Sequence, residues 1–197
     1  MKTYLASASP RRREIIEKLG IKADIRVSGA DEETDILDPE ALVTELSKKK
    51  AVSVSADIHK AQDDDQPYCV IGADTVVSID GMILGKPKDE QDAADMLSRL
   101  SGRTHQVFTG VTIVICKPGQ NEDTISFCEK TDVDFCEMTK DEIDAYIATG
   151  DPMDKAGAYG VQSLAAPYVS GIKGDYYNVM GLPACRLYHE LKKQGCI

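Results

Sequence analysis

Near its start the chain carries the sequence Leu5-Ala6-Ser7-Ala8-Ser9-Pro10-Arg11-Arg12-Arg13. Residues 2–6 are apolar enough to predict a short first strand. Ser9 then supplies a hydroxyl at the N-cap of a helix, and Pro10 suits the first helical position because its missing N–H would be unpaired there anyway. We therefore predict that a strand enters this stretch and that a helix, ended by Gly20, follows it.

Three arginines, Arg11–Arg13, crowd the first turn of this helix. That end already carries partial positive charge from the helix macrodipole, so cations are locally unfavourable there. A solvated basic turn is the simpler interpretation, and the triplet alone fits it equally well. The position between a strand and a capped helix start, beside free N–H donors, favours binding of a polyanion such as phosphate.

The chain has 197 residues, of which 42% are hydrophobic and 28% charged. These values predict one soluble domain over residues 1–197, either uniform or with a small second lobe. No apolar run approaches the roughly 18 residues that a membrane span needs. Because the N-terminus also lacks the apolar segment of a signal peptide, we expect a cytoplasmic protein without a membrane partner. The six cysteines are scattered, which favours reduced thiols over a zinc site.

The net charge of −10 argues against a nucleic-acid partner, which would require a basic surface. The charge is uneven along the chain. Residues 1–60 hold 11 basic and 11 acidic side chains, and residues 61–197 hold 12 basic and 22 acidic ones. The early basic residues concentrate at Arg11–Arg13 and Lys48–Lys50, a pattern that suits a small anionic ligand bound locally.

Strand and helix patterns alternate along the rest of the chain, which predicts an α/β fold with a mixed sheet. A stretch rich in Gly, Pro and Tyr, residues 151–181, has little periodicity and is therefore expected to be functional. The other predicted elements are a strand at 23–28, a helix from Asp38-Pro39, a polar loop at 60–67, a strand at 68–77, a hairpin turning at Asp80-Gly81, a helix ended by Gly102, strands at 107–116 and 125–136, a helix from the capping box Thr139–Glu142, and a last helix from Pro183.

Asp74 is the first candidate for chemistry, because it interrupts the apolar run Val70–Val77. A carboxylate there is costly to bury without a partner. A structural salt bridge with an arginine is one explanation, and a metal ligand or general base is the other. Gly72 and Ala73 would leave room for a ligand to approach the backbone.

Other charged residues could complete such a site. The acidic run Asp31–Glu33 is on the whole a solvated face, but one of its carboxylates could join Asp74 on Mg²⁺, which prefers one or two carboxylates together with phosphate oxygens. Lys50 and Lys86 are typical surface residues by type. Lys86, however, is fixed between Gly85 and Pro87, which suits a charge clamp on a phosphate. Together these groups predict metal-assisted hydrolysis of a phosphoanhydride by water. The three histidines, His59, His105 and His189, form no catalytic or metal pattern and are interpreted as structural.

These residues resemble the Maf family of nucleoside triphosphate pyrophosphatases, and the resemblance spans nearly the whole chain. The matching motifs are Leu5–Arg13, Ile71-Gly-Ala-Asp-Thr-Val76, Gly85-Lys-Pro87, Leu100-Ser-Gly-Arg-Thr-His105, Val107-Phe-Thr-Gly-Val111, Asp151-Pro-Met-Asp-Lys-Ala-Gly-Ala-Tyr-Gly-Val-Gln162 and Asn178-Val-Met-Gly-Leu-Pro183. The resemblance implies an elongated α/β fold with a mixed twisted sheet and a deep cleft, similar to the inosine triphosphate pyrophosphatases, and a homodimer.

The resemblance also implies an activity and its residues. It implies cleavage of nucleoside triphosphates between the α- and β-phosphates, which releases a nucleoside monophosphate and pyrophosphate. The divalent metal expected from the carboxylates above is Mg²⁺, with Mn²⁺ as the alternative. Asp74 matches the proposed general base, and Glu32 matches a carboxylate of the metal site. The positions that match the phosphate-binding residues of the family are Ser7, Arg12, Lys50 and Lys86.

Three positions match the branch of the family that is similar to the dTTP/UTP pyrophosphatases, namely Arg11, Thr75 and Gln162. The branch that prefers 7-methyl-GTP has tryptophan at the first position and glutamine at the second, and this chain has no tryptophan. Gln162 can donate and accept at once, as the O4/N3 edge of uracil or thymine requires. The expected activity is hydrolysis of dTTP and UTP, with modified pyrimidine nucleotides as further candidate substrates. The alternatives are a 7-methyl-GTP pyrophosphatase and a non-catalytic regulator of cell division.

Overall fold

The computed structural model describes residues 1–61 and 66–197, so part of the polar loop predicted at 60–67 lies outside the described residues. All seven strands described join one sheet in the order β2-β1-β3-β5-β6-β7, with β4 beside β3. The strands are β1 Lys2–Leu5, β2 Ala23–Ile25, β3 Tyr68–Ile79, β4 Met82–Leu84, β5 Thr104–Cys116, β6 Asp123–Phe135 and β7 Val169–Lys173.

The sheet is mixed. Strand β1 runs parallel to β2 and β3, and every other pairing is antiparallel. The helices are α1 Pro10–Lys18, α2 Pro39–Ala61, α3 Glu90–Leu100, α4 Lys140–Ile147, α5 Tyr176–Met180 and α6 Ala184–Lys193. Apolar side chains of α2 pack on one face of β3, and those of α1, α3 and α6 pack on the other. The predicted α/β fold with helices flanking a mixed sheet is therefore confirmed.

One edge of β3 is open in the middle of the strand. Strand β5 pairs with β3 along almost its whole length, from Tyr68 to Ser78. On the opposite edge, β1 pairs only as far as Ile71, and β4 begins to pair only at Val77. Among the described strands none covers residues 72–76 on that edge, so the backbone around Asp74 faces a gap between the end of β1 and the end of β4.

Helix α2 lies close against the sheet because two glycines face it. A Cβ added to Gly72 would lie 2.3 Å from the carbonyl oxygen of Ser47, and one added to Gly110 would lie 2.2 Å from that of Val43. The expectation that Gly72 leaves room for a ligand is therefore wrong, because the helix backbone fills that space. The missing side chains instead bring α2, and with it Lys50, close to β3.

Side-chain alternation along β3 sends neighbouring residues to opposite faces of the sheet. Asp74 shares the face of Gly72 and points towards α2, whereas Thr75 points towards α1 and α5. Both side chains reach the same gap because the edge of the strand is open there. Asp74 and Thr75 therefore line the same cleft, although they point to opposite faces of the sheet.

Several local predictions are confirmed. Asp80 and Gly81 turn the β3–β4 hairpin with φ values of 52° and 75°, as a two-residue turn of this type requires. The capping box at Thr139 and Glu142 is present in full at the start of α4. Gly20 follows α1 with a φ of 72°, and the last helix begins directly after Pro183.

Other local predictions need correction. Ser9 occupies the N-cap of α1, but its side chain makes no capping hydrogen bond. The strand predicted at 23–28 ends at Ile25, because its partner β1 ends at Leu5 and only Arg26 N–H still bonds to that strand. The irregular stretch at 151–181 contains β7 and α5, which its composition conceals. Among the residues described, no helix is both long and apolar enough to cross a membrane.

Candidate active site

A cleft of about 400 Å³ lies at the open edge of β3. It collects residues from β3, α1, α2, the β4 end and the loop after α4. The predicted site residues that line it are Arg11, Arg12, Glu32, Lys50, Asp74, Thr75, Lys86 and Gln162. Ser7 is buried, and its hydroxyl accepts hydrogen bonds from two residues that line the cleft, the guanidinium of Arg12 and the N–H of Ser9. The structure thus brings together side chains that lie up to 151 positions apart in the sequence.

Lys50 joins the two candidate carboxylates. Its Nζ lies 2.6 Å from Oδ1 of Asp74 and 3.2 Å from Oε2 of Glu32. The side chains of Lys50 and Asp74 are 12% and 13% exposed, whereas that of Glu32 is 57% exposed. The buried carboxylate in β3 therefore has a cationic partner, and this partner is a lysine of α2 and not an arginine.

The positions of Glu32 and Asp74 around Lys50 also indicate where a metal ion could bind. No group of three or more His, Cys, Asp or Glu side chains suited to a metal occurs within residues 1–61 and 66–197. Glu32 and Asp74 nevertheless share one cation, the ammonium of Lys50. Two carboxylates at one point suit Mg²⁺ when phosphate oxygens and water complete its coordination. The donor set therefore fits a metal that the substrate helps to bind.

Arg12 lines the cleft from the face of the sheet opposite to Asp74, on the side of Thr75. Its Nε donates to the carbonyl oxygen of Gly181 at 2.8 Å, its Nη2 to Oγ1 of Thr75 at 3.0 Å, and its Nη1 to Oγ of Ser7 at 3.2 Å. Burial lowers the pKa of this guanidinium below its usual value, and the nearby Asp74 opposes that effect. Its charge is held by three neutral oxygens, so it keeps a strong attraction for an anion that enters the cleft.

The arginine triplet divides into three roles. Arg11 pairs with Asp154, with Nη1 at 3.0 Å from Oδ2, and Arg12 crosses the cleft. Arg13 points away and forms an exposed ion pair with Glu17. The solvated interpretation therefore holds for Arg13, and the other two arginines line the cleft.

The loop after α4 forms the opposite wall and carries a lysine that the sequence did not single out. Lys155 Nζ donates to Oδ1 of Asp154 at 2.7 Å, to Oδ1 of Asp151 at 3.1 Å and to the carbonyl oxygen of Asp151 at 2.5 Å. Asp151 Oδ2 in turn accepts hydrogen bonds from Tyr146 and Ser163. Burial raises the pKa of Asp154, but hydrogen bonds from Lys155 and Arg11 outweigh this effect and lower it below the usual value.

Lys86 and Gln162 are exposed at the rim of the cleft. Lys86 follows β4, where the carbonyl oxygen of Gly85 accepts a hydrogen bond from the N–H of Gly157 at 3.0 Å. This contact holds the β4 end against the loop that carries Gln162. Both residues are therefore fixed at their backbones and free to reach a ligand with their side chains.

Asp151, Asp154 and Lys155 are the site residues that the sequence reasoning missed. A signal was present, since three charged residues stand within five positions of an otherwise Gly- and Pro-rich stretch. What the sequence could not indicate was that Lys155 would be buried, with 10% of its side chain exposed, between both carboxylates.

Comparison with known proteins shows the family of this chain. The family model described as "Maf-like protein" matches residues 2–194. The chain belongs to the Maf family. A relative from Agathobacter rectalis named dTTP/UTP pyrophosphatase is 49% identical, over 97% of this chain and 96% of its own.

Other relatives carry the same name. Those from Carboxydothermus hydrogenoformans and Bacillus cytotoxicus are 46% and 45% identical and cover 99% and 98% of this chain, with 100% and 95% of their own length covered. A solved structure of the Staphylococcus aureus Ham1 protein aligns over 98% of this chain and 100% of its own at 12% identity, with a TM-score of 0.45. That likeness is too distant to support a conclusion about this chain.

Proposed function

We propose that this Maf protein hydrolyses dTTP and UTP to the nucleoside monophosphate and pyrophosphate. The observation that carries the proposal is the convergence of Arg12, Lys50 and Lys86 on the cleft that contains Asp74. Cations from three separate elements suit a triphosphate, and a buried carboxylate beside them suits a base. The name that the relatives share, dTTP/UTP pyrophosphatase, supports the same choice of substrate.

In this proposal Asp74 accepts a proton from the water molecule that attacks the α-phosphorus. The water oxygen forms a bond to that phosphorus, and the bond to the oxygen bridging the α- and β-phosphorus breaks, so that pyrophosphate leaves. Lys50 holds the carboxylate of Asp74 in place at 2.6 Å. Arg12 and Lys86 supply positive charge where the leaving group becomes more negative.

We further propose that Glu32 and Asp74 hold a divalent metal, most simply Mg²⁺, with Mn²⁺ as the alternative. When bound, such an ion supplies neutralisation of the phosphate charge. The support comes from the chemistry of the two carboxylates, which converge on one cation in the structure. Oxygen ligands of this kind and number are those that Mg²⁺ uses together with substrate phosphates.

Base choice is assigned to Arg11, Thr75 and Gln162 through the family resemblance. The contacts suggest that these residues act differently. The hydroxyl of Thr75 accepts from Arg12 and lies 3.0 Å from Oγ1 of Thr109, so Thr75 acts mainly by fixing Arg12. Arg11 and the exposed Gln162 line the cleft and are the residues proposed to contact the base.

The test is pyrophosphate release with Mg²⁺ from dTTP, UTP, CTP, 7-methyl-GTP, ITP and ATP under identical conditions. The proposal predicts release from dTTP and UTP at least about tenfold faster than from the others, because a site that hydrogen-bonds one base edge rejects edges that leave its groups unpaired. Preferred release from 7-methyl-GTP would favour the other branch of the family. Tight binding without release from any nucleotide would favour a non-catalytic regulator.

Two further expectations belong to this proposal. We propose a homodimer, which light scattering coupled to size-exclusion chromatography would detect as twice the chain mass of 21.4 kDa. We also propose a cytoplasmic location without nucleic-acid or membrane partners. Cell fractionation with an antibody against the chain, together with a DNA-binding assay at low salt, would test this location and these partners.

A further inference from the structure

Arg11 and Gln162 line the cleft from different elements, but one chain of polar contacts joins Arg11 to Ser163, the residue directly after Gln162. Arg11 belongs to α1, and its Nη1 donates to Oδ2 of Asp154 at 3.0 Å. Gln162 directly precedes Ser163, whose hydroxyl donates to Oδ2 of Asp151 at 2.6 Å. Lys155 connects the two carboxylates, since its Nζ donates to Oδ1 of each.

Lys155 is held in this position by hydrogen bonds to its ammonium group and by packing of its side chain. An ammonium group has three donors, and the three acceptors provided by Asp151 and Asp154 match that number. The stem of the side chain runs past Gly160, where an added Cβ would lie 2.7 Å from Cε of Lys155. A lysine that is buried and bonded in this way has no donor left for a phosphate, so binding of the substrate by Lys155 does not explain its presence.

We propose that Lys155 is a positioning residue for base selection in this enzyme. Its ammonium holds Asp154, which orients Arg11, and it holds Asp151, which orients Ser163 beside Gln162. The side chain of Arg11 and the backbone that carries Gln162, the two residues proposed to contact the base, are thereby held by one set of contacts, although they belong to separate elements. The inference rests on the proposed function, because it concerns selection among substrates of that activity.

The test compares Lys155→Met with the wild type, using kcat/KM for UTP and for CTP. Methionine fills the space beside Gly160 but removes the charge and all three hydrogen bonds. We expect the UTP/CTP selectivity ratio to fall roughly tenfold, within the range typical of interaction energies between contacting residues. Lys155→Arg keeps the charge and should recover part of the ratio.

Lys140→Met is the matched control. Lys140 forms an exposed ion pair with Asp144 in α4, the helix that precedes the loop. Neither residue lines the cleft. This variant should leave the selectivity ratio unchanged. If Lys155→Met does not fold, Asp154→Asn serves instead, because it weakens the link to Arg11 and leaves Lys155 bonded to Asp151. The same fall in selectivity is expected.

A double-mutant cycle distinguishes positioning from simple structural support. With Lys155 present, the effects of Arg11→Lys and Gln162→Ala on the selectivity ratio should not be additive, and in the Lys155→Met background they should become additive. Equal losses of kcat/KM for UTP and CTP, with an unchanged ratio, would overturn the inference alone. A wild type that does not distinguish UTP from CTP would overturn the proposed function as well, and this is visible before any variant is made.

Discussion

The ammonium of Lys50 lies 2.6 Å from the carboxylate of Asp74, and both side chains are largely buried. The two residues are 24 positions apart and meet because α2 rests directly on β3 at Gly72. A buried pair of this kind is costly to separate, since the remaining charge would be left without a partner. The contact therefore couples the packing of α2 to the chemistry of the cleft.

Asp74→Asn should reduce pyrophosphate release from UTP by about 100-fold or more, the usual contribution of a general base. The amide keeps the size of the side chain but cannot take up the proton of the attacking water. Circular dichroism and thermal unfolding should show a folded protein, because Glu32 still pairs with Lys50. Retention of most of the activity in a folded variant would exclude Asp74 as the base.

Lys50→Gln should increase the rise in melting temperature that Mg²⁺ causes in the absence of nucleotide. In the wild type the ammonium already lies between Glu32 and Asp74, so a metal ion must compete with it. Binding at 100 times the dissociation constant stabilises a protein by about 2.7 kcal/mol. For a chain of this length each kcal/mol raises Tm by about 2–4 °C.

Thermal unfolding with and without Mg²⁺ measures this difference. The variant should gain several degrees where the wild type gains little, and the double variant Lys50→Gln/Asp74→Asn should lose the response. Equal shifts in the wild type and in Lys50→Gln would contradict competition between Lys50 and the metal.

Gly110→Ala should destabilise the protein and also lower its activity. The added Cβ would lie 2.2 Å from the carbonyl oxygen of Val43, so α2 must move away from the sheet and carry Lys50 with it. A loss of more than about 2 kcal/mol in the free energy of unfolding is expected for such overpacking against backbone. Gly29→Ala is the control, because nothing lies within 4 Å of its added Cβ. Equal stability of the two variants in urea would show that the close approach of α2 is not required.

His105 should make the stability depend on pH. The ring is fully buried, its Nε2 lies 2.7 Å from the hydroxyl of Tyr159, and burial lowers its pKa from 6.5 to about 4. The unfolded chain therefore binds more protons than the folded one between these values. Stability contributed by neutral His105 is present above pH 6.5 and is lost as the pH falls towards 4, by up to roughly 3 kcal/mol.

Urea unfolding from pH 7 to pH 4.5 measures this dependence. The slope of stability against pH should flatten in His105→Gln and persist in His59→Gln, which changes an exposed histidine at the end of α2. The carboxyl groups of Asp151 and Asp154 also have lowered pKa values, but their contribution is lost only below their ordinary value of 3.8. A steep slope that survives in His105→Gln would assign the effect to another group.

Much of the fold and of the site could be predicted from the sequence, because the signals are local. The turn at Asp80-Gly81 and the capping box at Thr139 specify their own backbone geometry. Asp74 stands out because a carboxylate in an apolar strand needs a partner. The identity of that partner could not be predicted, since it depends on how closely α2 packs on β3.

The remainder could not be predicted because it depends on contacts distant in the sequence. Gly72 indicates only that a side chain is missing, and the structure shows that a helix and not a ligand occupies the space. From the sequence, Lys155 cannot be told from an exposed lysine in a loop. In the structure it lies among Asp151, Asp154 and Gly160. In both cases the environment of the residue is set by contacts that form only in the folded protein. The sequence around the residue does not indicate those contacts.

Hydrolysis of UTP in water enriched in ¹⁸O tests the central claim most directly. Mass spectrometry of the products locates the oxygen that comes from the attacking water. We predict one ¹⁸O atom in uridine monophosphate and none in pyrophosphate, because Asp74 directs water to the α-phosphorus. Label in pyrophosphate or in inorganic phosphate would place the attack at another phosphorus and would contradict the account.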